Sequence, residues 1–321
     1  MLASQRTQRT LKVTPRLRAL LRPRCSLRPL RPALVFLSTA TALAAQSAPP
    51  RAQAPTANYW IYVGAESADL IHRVRFGPDG AVVEKTIPVG ESAVEMEGPH
   101  GLQISSDGKY LHMTTGHGSP DGKYWRFALG PDTLVGPGIF LDHFPASIDV
   151  TADGLYAFAV NFNLHGEMVP SSVSVVYTPD HTEVARVETC VMPHGSRVSP
   201  DGLHQYSVCM MDEQLVEIDT RTFAVSRRFG VAKGKEGPVS ADAAAHAHHM
   251  TAGQPMPPTT CSPTWAQPSA DGLKIYVACN KSDEILEIDR SAWKMTRRFA
   301  TGRGPYNLAV TPDGKLLVSS L

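Results

Sequence analysis

Five 17-residue windows of this sequence align without gaps, which restricts the chain to a fold assembled from copies of one small unit. They are GPHGLQISSDGKYLHMT from Gly98, FPASIDVTADGLYAFAV from Phe144, MPHGSRVSPDGLHQYSV from Met192, SPTWAQPSADGLKIYVA from Ser262 and GPYNLAVTPDGKLLVSS from Gly304. Each carries an Asp-Gly pair, at 107, 153, 201, 271 and 313, between two apolar, alternating runs. Such a pair marks a hairpin turn, because glycine accepts the positive φ that a tight turn demands. A second pair of strands follows, clearest where EQLVEIDTRTFAVSRRFGVAKG from Glu213 matches DEILEIDRSAWKMTRRFATGRG from Asp283. The unit is therefore four short antiparallel strands over roughly 42–48 residues, the period of a β-propeller blade. Strong helical periodicity is missing throughout.

The Ser199-Pro200-Asp201-Gly202 turn, the strand around Tyr276-Val277 and the Glu-Ile-Asp steps at 217–219 and 287–289 resemble the YVTN-type propellers. More distantly, the chain resembles the propellers of the cytochrome d1 and nitrous oxide reductase N-terminal superfamilies. The resemblance covers about residues 58–321 and speaks for fold far more than for function. It implies an all-β propeller of four-stranded antiparallel blades, seven when complete. Residues 58–90 supply the last three strands of one blade, four full units follow, and Leu321 falls inside the second strand of another. A propeller needs closure so that no sheet edge is left bare. The sequence is accordingly read as C-terminally truncated by about two blades, with a five-bladed ring closed by pairing Tyr306–Thr311 beside residues 58–63 as the alternative.

Ahead of the repeat lies a segment of different character. Residues 1–44 carry nine arginines or lysines and no acid, and lead through a short apolar run into Ala42-Leu43-Ala44. That order describes a secretory signal peptide, and residues 45–57, rich in Ala, Pro and Gln, a flexible linker. An Arg-rich organellar transit peptide or a misplaced start codon is the other reading of the long basic stretch. Removing the leader leaves 22 basic against 30 acidic residues, so the overall charge of +1 conceals a folded part near −8. Nucleic acid is excluded as a partner on that ground. With no later stretch of 18 apolar residues, no transmembrane anchor remains after cleavage, and a periplasmic or secreted protein is expected.

Blade geometry then sorts the unusual residues. The connections into each first strand share one face of a propeller, the top, with the loops between second and third strands. His100 and His194 open first strands, each within Pro-His-Gly, and His143 lies in a connection. His117 and His165 fall in second-to-third loops, while His246, His248 and His249 belong to an inserted loop of about 235–261. Eight of the twelve histidines thus map to the top face. Cysteine and methionine gather beside them. Imidazole with soft sulfur suits copper, with zinc or noncovalent haem as alternatives, since no C-x-x-C-H sequence is present. The candidate metal or cofactor ligands are His100, His117, His194, His246, His248 and His249. The bland alternatives are satisfied turn histidines at 100 and 194 and weak metal collection by the AAAHAHHM run.

Four cysteines follow the leader as two equivalently placed pairs, Cys190/Cys209 and Cys261/Cys279. Two homologous disulfides explain them in an oxidising compartment, with thiolate ligation as the other possibility. His194 and Cys209 sit symmetrically about their turn and are expected to face each other across it. Nucleophile-elbow, P-loop and H-E-x-x-H signatures are missing. Acids near the top include Glu95, Glu97, Asp142, Glu167, Asp212, Glu213 and Asp283, without a spacing that singles out a catalytic pair. The expected function is an exported propeller binding a transition metal or redox cofactor at its channel mouth, with periplasmic electron transfer and a redox or cell-envelope protein partner in view. A non-catalytic interaction propeller and a lactonase-like hydrolase are the alternatives.

Overall fold

The structure, a computed structural model, describes residues 54–92, 94–117, 121–240 and 258–321. The signal peptide read at 1–44, most of the linker, and His246, His248 and His249 lie outside the described residues. Six antiparallel sheets follow one another along the chain. The first holds Tyr59–Ala65, Leu70–Gly77 and Gly80–Pro88. The second has Pro99–Ile104, Tyr110–Thr115 and Asp121–Ala128, its outer strand divided into Thr133–Leu134 and Ile139–His143. The third runs Pro145–Val150, Tyr156–Asn161, Pro170–Tyr177 and Thr182–Val191. The fourth comprises Pro193–Val198, His204–Cys209, Gln214–Asp219 and Ala224–Gly230, with Gly237–Val239 added from the inserted loop. Pro263–Pro268, Lys274–Cys279, Glu284–Asp289 and Lys294–Ala300 form the fifth, and Leu308–Val310 with Leu317–Ser319 the sixth. Two single 3-10 turns, Glu66–Ala68 and Asn280–Ser282, are the helical elements among the described residues. This is the all-β propeller expected from the repeat. Residues 59–65 pair with 70–77 alone, so no ladder joins them to the sixth sheet among the described residues.

The Asp-Gly turns are stapled by their own side chains. In each, a Ser or Thr two residues ahead donates its hydroxyl to the aspartate: Ser105 to Asp107 at 2.7 Å, Thr151 to Asp153, Ser199 to Asp201 and Ser269 to Asp271 at 2.5 Å, and Thr311 to Asp313 at 2.6 Å. The same carboxylate accepts the N–H two residues on, as from Leu203 at 3.0 Å. Only the glycine takes positive φ, from 68° at Gly108 to 74° at Gly154. The turn is thus a four-residue loop closed by an aspartate, and glycine occupies its left-handed position.

Every full sheet carries a β-bulge at the start of its innermost strand. Pairing runs Pro99 with Thr115 and then Gly101 with Thr114, so His100 is the extra residue. Thr264 is extra in the fifth sheet, where Pro263 meets Cys279 and Trp265 meets Ala278. In the fourth, Pro193 opposes Cys209, which corrects the expectation that His194 would: the bulge moves the register by one. A bulge turns a side chain out of the ladder; Thr264, for one, donates its hydroxyl to the carbonyl oxygens of Pro305 and Tyr306, ahead of the sixth sheet. The residue before each Pro lies at positive φ: Gly98, Phe144, Met192, Ser262 and Gly304.

Sheets stack through layers of buried side chains rather than around one centre. Phe158, Val160, Val173 and Val175 of the third meet Val216 and Ile218 of the fourth, while Tyr206, Leu215 and Phe229 meet Ile275, Leu286 and Trp293 of the fifth. Burial of one such side chain contributes roughly 1.5–3 kcal/mol. Toward the axis the sheets nearly touch. A Cβ on Gly101 would stand 2.2 Å from the Ala146 carbonyl oxygen, and one on Gly195 would stand 2.2 Å from that of Thr264. The glycine of Pro-His-Gly is therefore a spacing residue between adjacent sheets.

Candidate functional site

The positions after the repeat's proline are His100, Ala146, His194 and Thr264, at the heads of the innermost strands of four successive sheets, and Tyr306, just ahead of Leu308–Val310. His100, His194 and Tyr306 line a cavity of about 520 Å³ to which all six sheets or their loops contribute, Glu66, Ser147 and Trp265 among them. This is the central channel, and its mouth is the face that sequence reasoning marked.

Two of the predicted ligands come together there. His100, from the second sheet's bulge, and His117, from the loop after Tyr110–Thr115, both reach the carboxylate of Glu66 in the corresponding loop of the first sheet. His117 Nε2 stands 2.5 Å from Glu66 Oε1, and His100 Nδ1 contacts the same oxygen. One ligand atom from each of the three lies within 4.8 Å of the others. Burial pushes the Glu66 carboxyl up, but hydrogen bonding and charge from His100, then from His117, outweigh it and hold the group below the ordinary carboxylate value. All three side chains keep partial exposure, 20–35%, so solvent and solutes reach them.

His194 stands next to this group with its ring centroid 6.0 Å from that of His100, but it is differently engaged. Its Nδ1 lies 2.8 Å from the Thr264 carbonyl oxygen, which can only accept, so the proton is on Nδ1. Nε2 is then an acceptor, and the Tyr306 hydroxyl donates to it at 2.8 Å. Burial pushes this imidazole down to about 4, leaving it neutral at pH 7. Burial, then the charge of Glu66, raises the Tyr306 phenol. His194 is a preset neutral imidazole, capped by a tyrosine.

Among the other top-face residues, His165 is exposed, 6.1 Å from the His117 ring, and His143 sits beside Asp142 at 3.0 Å. Cys190–Cys209 and Cys261–Cys279 are disulfides, the first tying the end of the third sheet's outer strand to the end of the fourth sheet's second strand, the second the entry of the fifth sheet's innermost strand to the end of its neighbour. The alternative of thiolate ligation falls with them. Met192 and Met210 pack on the Phe144–Phe162 cluster. Several acids serve the backbone: Glu97 accepts the N–H groups of Glu91 and Ser92, Glu213 those of Thr260 and Ser262, and Asp283 that of Gly304. Arg227 and Arg297 are paired with Glu217 and Glu287.

Sequence reasoning missed Glu66 and Tyr306. Tyr306 occupies the column of His100 and His194 in the aligned windows, and that column was the signal. Glu66 occupies in the first sheet the loop that holds His117 in the second, but the first sheet lacks the window that reveals the correspondence.

No protein-family model matches the chain, and no curated protein matches it in sequence. Solved structures do. A protein of unknown function from Desulfotomaculum acetoxidans superposes with a TM-score of 0.54 at 11% identity over 78% of this chain and 68% of its own. Streptogramin B lyase gives 0.54 at 13% identity over 82% and 72%. The β-propeller domain of Cps50 (Swd1) from Myceliophteria thermophila gives 0.51 at 16% identity over 74% and 64%. At these identities the likeness shows the fold, a β-propeller, which is the class that architecture and repeat define. Among the described residues no helix is long and apolar enough to cross a membrane, and the two disulfides fit an oxidising compartment.

Proposed function

We propose that this protein is an exported propeller that holds a divalent transition metal at its channel mouth through Glu66, His100 and His117. The convergence of two imidazole nitrogens and a carboxylate oxygen within 4.8 Å, beside a cavity large enough for a substrate, carries the reading. Two histidines and a carboxylate with room on one side form the ligand set of catalytic zinc and of non-haem iron sites. Among the described sulfur donors, the four cysteines are in disulfides and Met192 and Met210 pack on the Phe144–Phe162 cluster, so zinc takes first place and copper second. Bound there, the metal supplies Lewis acidity to a small molecule in the channel, which favours a metal-dependent enzyme over electron transfer. The chain's own groups do the rest. His194 orients the Tyr306 hydroxyl, and the Cys190–Cys209 disulfide braces the sheet that carries His194. The basic leader and the two disulfides support export.

Metal analysis of the mature protein after reconstitution with zinc, copper or iron tests the reading. About one equivalent is expected, lost on combined Glu66→Gln and His117→Ala substitution and kept when His246, His248 and His249 are all replaced by alanine. Less than about a tenth of an equivalent in the wild type would overturn it.

A further inference from the structure

The sixth position of each window makes a row in the alignment, Gln103, Asp149, Arg197, Gln267 and Ala309, of which Arg197 and Ala309 line the cavity. Arg197 is its one cation, carried by the innermost strand of the fourth sheet and lining the same cavity as Glu66 and His100. Its guanidinium lies 4.6 Å over the Trp265 ring and donates through Nη1 to the Ser196 carbonyl at 2.9 Å. Among the described residues no carboxylate comes within ion-pair distance of it. Asp149, its neighbour in the row, is held by backbone N–H groups instead, accepting from Val150 at 2.9 Å and Val198 at 2.7 Å. Asp149 still acts on Arg197 through its field, but leaves the guanidinium fork unclaimed.

An arginine is always charged, and its planar fork matches a carboxylate in bidentate fashion. Facing the channel, 4.6 Å over an indole and hydrogen-bonded on one side, such a group is preset for an anion arriving along the axis. The neighbouring channel groups do not compete for that role. His194 is neutral, Tyr306 is a phenol, and Glu66 is turned to its two histidines.

We propose that Arg197 is the anion-recognition residue of the channel, taking the carboxylate of a small organic acid whose other polar end lies toward Glu66, His100 and His117. The placement of that other end rests on the metal reading; the carboxylate contact does not. A cavity of about 520 Å³ is in the range of small-molecule sites.

The test is calorimetric titration of the mature protein with benzoate, succinate and inorganic phosphate, with and without chelator. Saturable carboxylate binding is expected in the chelated protein, weakened about tenfold or more in Arg197→Gln and partly kept in Arg197→Lys. Because Arg197→Gln leaves buried Asp149 without its counter-charge, the Asp149→Asn/Arg197→Gln pair serves if the single variant fails to fold. Equal carboxylate affinity in wild type and variant, or no saturation up to about 20 mM, overturns the proposal. Phosphate binding tighter than either carboxylate, with the same dependence on Arg197, overturns the organic-acid assignment. Loss of metal binding with carboxylate binding intact counts against the metal reading alone; a normal metal equivalent with Arg197-independent binding counts against this one alone.

Discussion

His112 sets an acid limit on this fold that a single substitution should remove. The imidazole sits on the strand Tyr110–Thr115, 1% exposed, with Nδ1 2.7 Å from the Tyr124 hydroxyl and no partner for Nε2 among the described residues. A charged ring would need an acceptor at both nitrogens. Burial, reinforced by the charges of Arg126 and His181 and opposed by Asp107, pushes its pKa from 6.5 down to about 4. The folded protein therefore binds fewer protons here than the unfolded chain. The group's contribution is complete above pH 6.5 and declines as pH falls from there to about 4. Linkage with these two values gives a loss of roughly 2.5 kcal/mol between pH 7.5 and pH 4.5. Urea unfolding of wild type and His112→Gln at both pH values measures it, with chelator present throughout so that both proteins are compared metal-free. Carboxylates titrate alike in both proteins and cancel. The wild type should lose about 2.5 kcal/mol more than the variant across that interval. Profiles parallel to within about 0.5 kcal/mol would refute the reasoning, because the buried ring would then be accepting a proton without penalty.

Three further outcomes follow from the geometry. Replacing Cys190 and Cys209 by serine should cost about 3 kcal/mol, since the disulfide closes a loop of 19 residues; thermal unfolding with and without reductant checks it, and reductant should have a smaller effect on the variant. Gly195→Ala places a Cβ 2.2 Å from the Thr264 carbonyl oxygen and should destabilise by about 2 kcal/mol or more in chemical unfolding, whereas alanine at exposed sites costs little. Glu287 is buried and accepts from Arg297 at 2.8 Å and Lys274 at 3.0 Å. Burial raises its carboxyl, but those partners, with Thr296, hold it below the ordinary value. Its stabilisation is present above the usual carboxylate range and lost as pH falls through the lowered pKa. Glu287→Gln should therefore be less stable than wild type by about 1–2 kcal/mol at pH 7, a gap that narrows toward pH 3 in thermal scans.

The fold was legible because a repeat reports its own register. Five Asp-Gly pairs at fixed offsets located the first two strands of five sheets, and the cysteine pairing followed from equivalent places in two copies. What a repeat cannot express is a departure from ideal pairing. The bulge at His194 moved Cys209 opposite Pro193, and no residue in the window announces that extra step. The histidines at 100 and 117 were found by type and face. Glu66 was not, because its partners are close only across a sheet boundary and glutamate is common in surface loops. Arg197 was passed over for the same reason: its neighbour Trp265 is 68 residues away in sequence, and the contact exists only once the ring has curved.

The bulge at the head of each innermost strand gives the channel mouth a modular character. One backbone conformation, repeated from sheet to sheet, already carries imidazole, methyl and hydroxyl side chains at His100, Ala146, His194 and Thr264, each after a proline and a left-handed residue. The packing that holds the sheets together sits one position later, in the Gly101 and Gly195 contacts. Rim side-chain chemistry and architecture are therefore written at neighbouring but separable addresses. A lineage of such proteins can exchange one rim side chain at a time, acquiring or discarding a ligand, while the spacing of the ring goes on being set by the residue next door.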